Sequence, residues 1–444
     1  MSAPASPFDR SRLVERYLAQ RRRSRAFFDM IEAAGAYSAR PIPLRNPFVF
    51  YEGHLPAFSV NTLLKRGLGR RGLNEHFEKL FERGIDPESE AKIPAGQSLW
   101  PSRKEVLAYA EAADEAVVAA LSREELERAD VPALAGGQAV FTILEHEPMH
   151  QETLGYMAHR LEPSLKARPE GYRIETGAAP PEPRAVRIPE GRVRLGADQG
   201  HLRFGWDNEF PQLTVDVPAF TIDVFDVTNR DFMEFVQAGG YARRDIWNEE
   251  GWAFRESSGL THPLFWERDG EGGWLWRGMF QRLPLPPAWP VWVSGEEAAA
   301  YARWKGKRLP TEAELHRAAY GTPEGIERSY PWGEEGPDAT RGCFGFESWE
   351  PVPVGSRPAG ASAFGVMDLL GNGWEWSSTP FAGFPGFVPM ASYPVYSSDF
   401  FDGKHWVIKG GSPATAHELL RRSFRNWFRP NYPYVYAAFR CVSA

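Results

Sequence analysis

Cysteine is almost missing from this chain: Cys343 and Cys441 are the only two in 444 residues. Two thiols build no disulfide framework, and a reducing cytoplasm is the compartment they fit. Long apolar runs are missing too. With no stretch of about 18 apolar residues, no membrane-spanning helix is expected. The opening MSAPASPFDRSRL has no apolar centre, so it does not read as a secretory leader. Positive charge is not in excess: 51 Lys and Arg stand against 58 Asp and Glu, a net charge of −7. A nucleic-acid partner favours a basic surface, so none is expected. The chain is not depleted of apolar residues either; at 43% hydrophobic and 25% charged it has the composition of a folded protein.

What the chain has in quantity is rings and turn formers, with 16 Trp, 29 Phe, 42 Gly and 38 Pro gathering toward the C-terminal half. Its two halves differ in grammar. Residues 8–38 read as one helix, with Leu13, Tyr17, Phe27, Phe28 and Ile31 on the apolar face. The segment PIPLRNP breaks it. A second helix is expected over 56–68, a third over 102–121 and a fourth over 137–161. Ser102 and Glu105 form a capping box for the third. Together they predict an antiparallel four-helix bundle over 1–163. Residues 164–184, rich in Pro and polar groups, read as a linker. From 185 to 444 short β-like runs alternate with turns. Helices at 294–306 and 311–321 interrupt them, the second capped by Thr311 with Glu314. The expected fold class is a multi-domain protein, α followed by α+β.

Chemistry concentrates in the fourth helix. His146 and His150 are four residues apart, so on a helix both project from one face. Such a pair is a metal clamp; the plain alternative is two partly buried bundle histidines. Glu147, Gln151 and Glu152 make this stretch unusually polar for the middle of a bundle helix. His54, in FYEGHLPAF, offers a third imidazole, and Glu52 is the competing third ligand. Three neutral imidazoles suit Fe(II) or Zn(II) and leave positions open for substrate and O2 or water. HEPMH is close to the zinc-peptidase pattern, but Pro148 falls inside it and no downstream ligand of that family is evident.

These residues carry a resemblance. EHEPMHQETLGYM and YEGHLPAF resemble the metal segments of DinB-like helical bundles. FTIDVFDVTNRDFMEFV, GKRLPTEAELHRAA, YPWG, FGVMDLLGNGWEWSSTPF, IKGGSPAT and YAAFRCV resemble the formylglycine-generating-enzyme (sulfatase-modifying factor) domain, a C-type-lectin variant. Both in one chain is similar to the ergothioneine sulfoxide synthases, with the selenoneine synthases as close relatives, over nearly the whole length. The resemblance implies Fe(II) on His54, His146 and His150. It also implies O2-dependent bonding of a thiol (cysteine or γ-glutamylcysteine) or a selenosugar to C2 of hercynine, Nα-trimethylhistidine.

The same resemblance makes Arg103 a contact for a substrate carboxylate. It brings the loop with Arg425, Asn426 and Arg429 to the active site. A quaternary ammonium favours aromatic walls, and Trp374, Trp376, Trp427, Phe428 and Tyr432 lie in segments able to supply them, structural core being the other role for each ring. Met149 departs from the family, where some members carry Gln. A second departure is the missing phenol: after GNGWEW come Phe381, Phe384 and Phe387 but no Tyr, and 77–87 also lacks one. Tyr432, Tyr434 and Tyr436 are then the candidates for a proton donor, and the gap raises the selenium reading. A thiol dioxygenase and a non-enzymatic lectin-like module are the remaining readings. Formylglycine chemistry needs a nearby cysteine pair, which Cys343 and Cys441 are not in sequence.

Overall fold

The computed structural model describes residues 8–31, 34–82 and 100–443. Part of the Tyr-free stretch 77–87 therefore lies outside the described residues. The chain falls into two compact units: Met1–Pro169 with Pro389–Pro394, and Glu170–Val388 with Val395–Ala444. No helix among the described residues is long and apolar enough to cross a membrane.

The first unit is helical. Helix α1 (Arg10–Asp29) begins where Asp9 accepts from the backbone N–H groups of Ser11 and Arg12. The single helix expected over 8–38 stops at Asp29. Ile31 leaves it to bridge Lys166, and the Ala167 N–H donates to the Met30 carbonyl at 2.8 Å. A short α2 (Ala34–Tyr37) follows. Helix α3 (Phe48–Ser59) starts eight residues before the expected position and runs on as a π-helix, Val60–Gly67. Pro56, read as a helix start, lies inside α3. A proline removes only one ladder bond, and burial of the whole segment outweighs that loss.

A short α4 (Glu75–Leu80) precedes α5 (Arg103–Arg123), which carries the expected Ser102–Glu105 capping box. Helix α6 (Gln138–His159) starts after Gly136 and Gly137, both in the left-handed region. A Cβ on Gly137 would stand 2.2 Å from the Phe8 ring, so glycine is required there twice over. Helix α3 packs on α5 and α6, and α1 on α5 and α6.

The second unit has little regular structure and many rings. Twelve short strands form four small sheets among the described residues. The largest orders β10 (Asn426–Phe428), β9 (Trp406–Gly411), β8 (Gly373–Pro380) and β11 (Ala437–Ala438). The unit's first strand β1 (Ala185–Ile188) and last strand β12 (Val442–Ser443) flank β4 (Phe220–Asp223), so its two ends meet in one sheet. Strands β2 (Gly191–Leu195) and β3 (Leu213–Val217) pair, as do β5 (Trp266–Arg268), β6 (Trp274–Arg277) and β7 (Arg282–Pro284). Helices α7 (Asn229–Gln237), α8 (Glu249–Ser258), α9 (Gly295–Trp304) and α10 (Glu312–Tyr320) fill the connections, with Thr311 and Glu314 forming the expected cap.

Trp206, Trp266, Trp276, Trp289, Trp292, Trp374 and Trp376 are all fully buried. Large rings thus build this core where long elements are lacking. At its centre Arg440, with no exposed side chain, donates to Glu375 at 2.7 and 2.8 Å and to Asp226 at 2.9 Å. Cys343 and Cys441 are free and buried.

Candidate metal centre

His54 comes from α3 and His146 and His150 from α6. Their ligand atoms all lie within 4.8 Å of one another. The Nε2 atoms of His54 and His146 are 3.3 Å apart, and those of His146 and His150 are 3.1 Å apart. Nitrogens bound at about 2.1 Å to one ion stand roughly 3.0–3.4 Å from each other, so the spacing fits a shared metal.

Electrostatics point the same way. The His54 Nδ1 lies 2.7 Å from the Phe81 carbonyl, which can only accept. The proton therefore sits on Nδ1, and the Nε2 lone pair faces the other two rings. Burial pushes His54 down to about 4, the Phe81 carbonyl opposing it. Burial, then the neighbouring imidazoles, holds His146 well below its usual value; burial, then His54 and Arg45, does so for His150. Three neutral donors converging in a buried space repel one another unless a cation lies between them. The donor set fits a divalent ion of the Fe(II) or Zn(II) type.

Local sequence explains the placement. Gly53 lets the Phe81 ring come close, since a Cβ there would be 2.4 Å from it. That approach brings the Phe81 carbonyl to His54. Phe58 stacks on His146 with centroids 3.4 Å apart, and Phe50 stacks on His54 at 5.2 Å. Glu52, the competing ligand, is taken elsewhere: it accepts from Tyr37 and, at 3.0–3.3 Å, from Arg103. Glu147 accepts from Ser24 at 2.6 Å and Arg21 at 3.1 Å, and Gln151 donates to α1. The acid and amide beside each histidine thus serve the contact with α1.

One residue at this centre was not singled out from the sequence. Tyr393, in the segment Pro389–Pro394 that groups with the helical unit, lies with its ring 5.1 Å from Phe58 and 6.3 Å from His146. Its neighbour Ser392 anchors the segment. The Ser392 hydroxyl shares a 2.8 Å bond with Thr142, its N–H donates to Gln138 at 2.8 Å, and its carbonyl accepts from Arg66 at 2.8 Å.

The other expected site residues separate into groups. Arg103 pairs with Glu52 and, at 2.7 Å, with the exposed Asp29. Met149 lies between the clamp histidines and is half-buried. Trp374 and Trp376 are both fully buried, and the Trp376 indole donates to the Val293 carbonyl at 2.9 Å. Phe381 is buried in a parallel stack on Trp427 at 4.1 Å. Arg425 is buried in an ion pair with Glu312 at 2.9 Å and lies over Phe384. Tyr436 is buried against Trp292 at 4.4 Å, Tyr432 stacks on Phe428, and Tyr434 stands half-buried beside it. Asn426, Trp427, Phe428 and Arg429 are half-buried.

Residues 173–444 match the sulfatase-modifying factor enzyme 1-like domain family, which defines the class of the second unit. Three relatives extend the likeness. Hercynine oxygenase of Mycolicibacterium thermoresistibile is 36% identical over 90% of this chain and 87% of its own. That of Mycolicibacterium smegmatis is 38% identical over 67% of this chain and 70% of its own. Ergothioneine biosynthesis protein 1 of Neurospora crassa is 29% identical over 91% of this chain and 54% of its own. The chain belongs to the hercynine oxygenase family of ergothioneine biosynthesis.

Proposed function

We propose that this protein is a nonheme Fe(II)- and O2-dependent enzyme that forms a C–S bond between a thiol, cysteine or γ-glutamylcysteine, and imidazole C2 of hercynine, giving a sulfoxide. The observation that carries this reading is the convergence of three neutral imidazoles beside a tyrosine, in a chain similar to hercynine oxygenases. Imidazole C2 is a poor site for polar substitution, and iron bound here supplies the oxidising chemistry with O2 that the bond needs.

The chain's own groups have distinct tasks. His54, His146 and His150 hold the ion through uncharged nitrogens, so charge neutralisation is left to the reactants. Tyr393, whose ring lies 6.3 Å from that of His146, is the phenol we assign as general acid. This replaces Tyr432, Tyr434 and Tyr436 in that role, and it removes the missing phenol as an argument for selenium. Arg103 is held by the buried Glu52, while its exposed Asp29 contact is one that a donor's carboxylate can displace. Of the residues expected to contact substrate, Met149, Asn426, Trp427 and Arg429 are half-buried, and Trp374, Trp376, Phe381 and Arg425 are buried. Two free, buried thiols accord with a cytoplasmic protein.

The test is turnover by purified, Fe(II)-loaded protein with hercynine and each donor, a selenosugar included, with products identified by mass. Tyr393→Phe should lower sulfoxide formation by about 10²-fold or more and divert O2 to oxidation of the thiol. Unaltered product ratios in Tyr393→Phe would remove it from the mechanism.

A further inference from the structure

We propose that Gln20, Arg21 and Ser24 of α1 are positioning residues that set the rotation of α6 about its axis, and that Pro148 makes this grip necessary. The proposal rests on reading His54, His146 and His150 as metal ligands.

Helix α6 carries two pairs at four-residue spacing. His146 and His150 form one; Glu147 and Gln151 form the other, turned by about 100°. The first pair faces α3 and the second faces α1. Ser24 and Arg21 both donate to the same Glu147 oxygen, at 2.6 and 3.1 Å. Arg21 also donates to Asp114 of α5 at 2.8 Å, so one guanidinium ties three helices. Gln151 donates to the Gln20 carbonyl and to Ser24, each at 2.9 Å.

Between the two histidines the helix has a gap. Pro148 has no N–H, so the Leu144 carbonyl four residues earlier loses its regular helical donor. The side chain of Gln20 fills the gap, its Nε2 donating to Leu144 at 2.7 Å, with Arg16 further off at 3.4 Å. The Gln20 Oε1 has no partner, and a flipped amide would set oxygen against oxygen, so the donor is fixed. Gln20, Arg21, Ser24, Glu147 and Gln151 are all buried. Water cannot take over a lost contact there, and each loss leaves an orphaned polar group. Because the two pairs share one rigid turn, releasing Glu147 or Leu144 lets both histidines swing together. Partners behind metal ligands typically alter affinity by about 10–100-fold.

The experiment titrates the metal-free full chain with Co(II) and records both Kd and the ligand-field absorption band. Gln20→Leu and Glu147→Gln should each weaken Co(II) about 10-fold and shift the band in protein that remains folded by circular dichroism. A grip that only stabilised the fold would lower Tm and leave the band alone. Gln20→Leu combined with Pro148→Ala should recover the wild-type band, because replacing the proline restores an N–H for the Leu144 carbonyl. If Gln20→Leu does not fold, Ser24→Ala, which removes a contact to Glu147 and one to Gln151, takes its place as the single variant, with the same weakened Kd and shifted band expected. Wild-type Kd and band in both single variants overturn the proposal, as does a double variant no better than Gln20→Leu. The metal reading fails differently: the wild type would take up no Co(II), or His150→Ala would bind as the wild type does.

Discussion

Helical spacing puts His146 and His150 on one face, whereas His54 is oriented by a carbonyl 27 residues away. Replacing a ligand and disturbing the group that orients it should therefore differ in kind. Alanine at any of the three should reduce iron binding by at least about 100-fold with helix content kept. Gly53→Ala should weaken binding while leaving every ligand present, because the Phe81 ring must move and its carbonyl leaves His54. Metal analysis with circular dichroism separates the cases; full iron content in Gly53→Ala would show that the Phe81 carbonyl does not matter. The three histidines were legible as residue types and spacing. Tyr393 was not: its contacts to Phe58 and His146 join segments far apart in the chain, and PMASYP has no periodicity that points to a metal. The one available signal was that PMASYPVYSS carries the first tyrosines after the phenylalanine-rich run.

A buried carboxyl also makes stability depend on pH. Asp368 is buried, and desolvation pushes it up to about 6, against the pull of the Gly355 N–H and Arg440. In the unfolded chain it ionises near 3.8. Below that value both states are protonated and nothing is lost. As pH rises from about 4 through about 6 the unfolded state ionises first, and stability falls by on the order of 3 kcal/mol. Asn keeps an acceptor for Gly355 and tolerates the left-handed backbone at this position. Asp368→Asn should thus raise Tm at pH 7.5 and gain little at pH 4. An equal gain at both would refute the desolvation argument.

At the scale of elements, polar caps were readable and prolines were misleading. Ser102 with Glu105 and Thr311 with Glu314 mark helix starts because each satisfies backbone donors that nothing else reaches. Pro56 looked like a start and proved internal, because tertiary burial overrides one missing bond. The end of α1 at Asp29 was hidden for a related reason: apolar Ile31 continues the helical pattern, but its backbone pairs with Lys166. The Pro-rich stretch after the helical unit is tethered in places. Tyr172 donates to Glu350 at 2.9 Å, and the Glu175 carbonyl accepts from Trp289 at 2.7 Å. Residues 176–179 are exposed. Limited proteolysis should cut first at about 173–180; a first cut inside α6 would contradict this picture of local stability.

For the whole molecule, the change from long amphipathic helices to short strands and turns announced two different folds. The excursion of Pro389–Pro394 into the helical unit was not announced, since nothing in composition changes there. That excursion delivers Tyr393, so a chain cut back to residues 1–169 should bind metal and lack the phenol. The proposed reaction joins a thiol to hercynine on iron held by three histidines. Its most direct measurement is single-turnover mass spectrometry of the full chain with hercynine, O2 and each donor, with Fe(II) present or withheld. The account predicts an imidazole-C2 sulfoxide from a thiol donor only with Fe(II), and none from His150→Ala. Hercynine left unmodified with every donor, or product formed equally by His150→Ala, would contradict it.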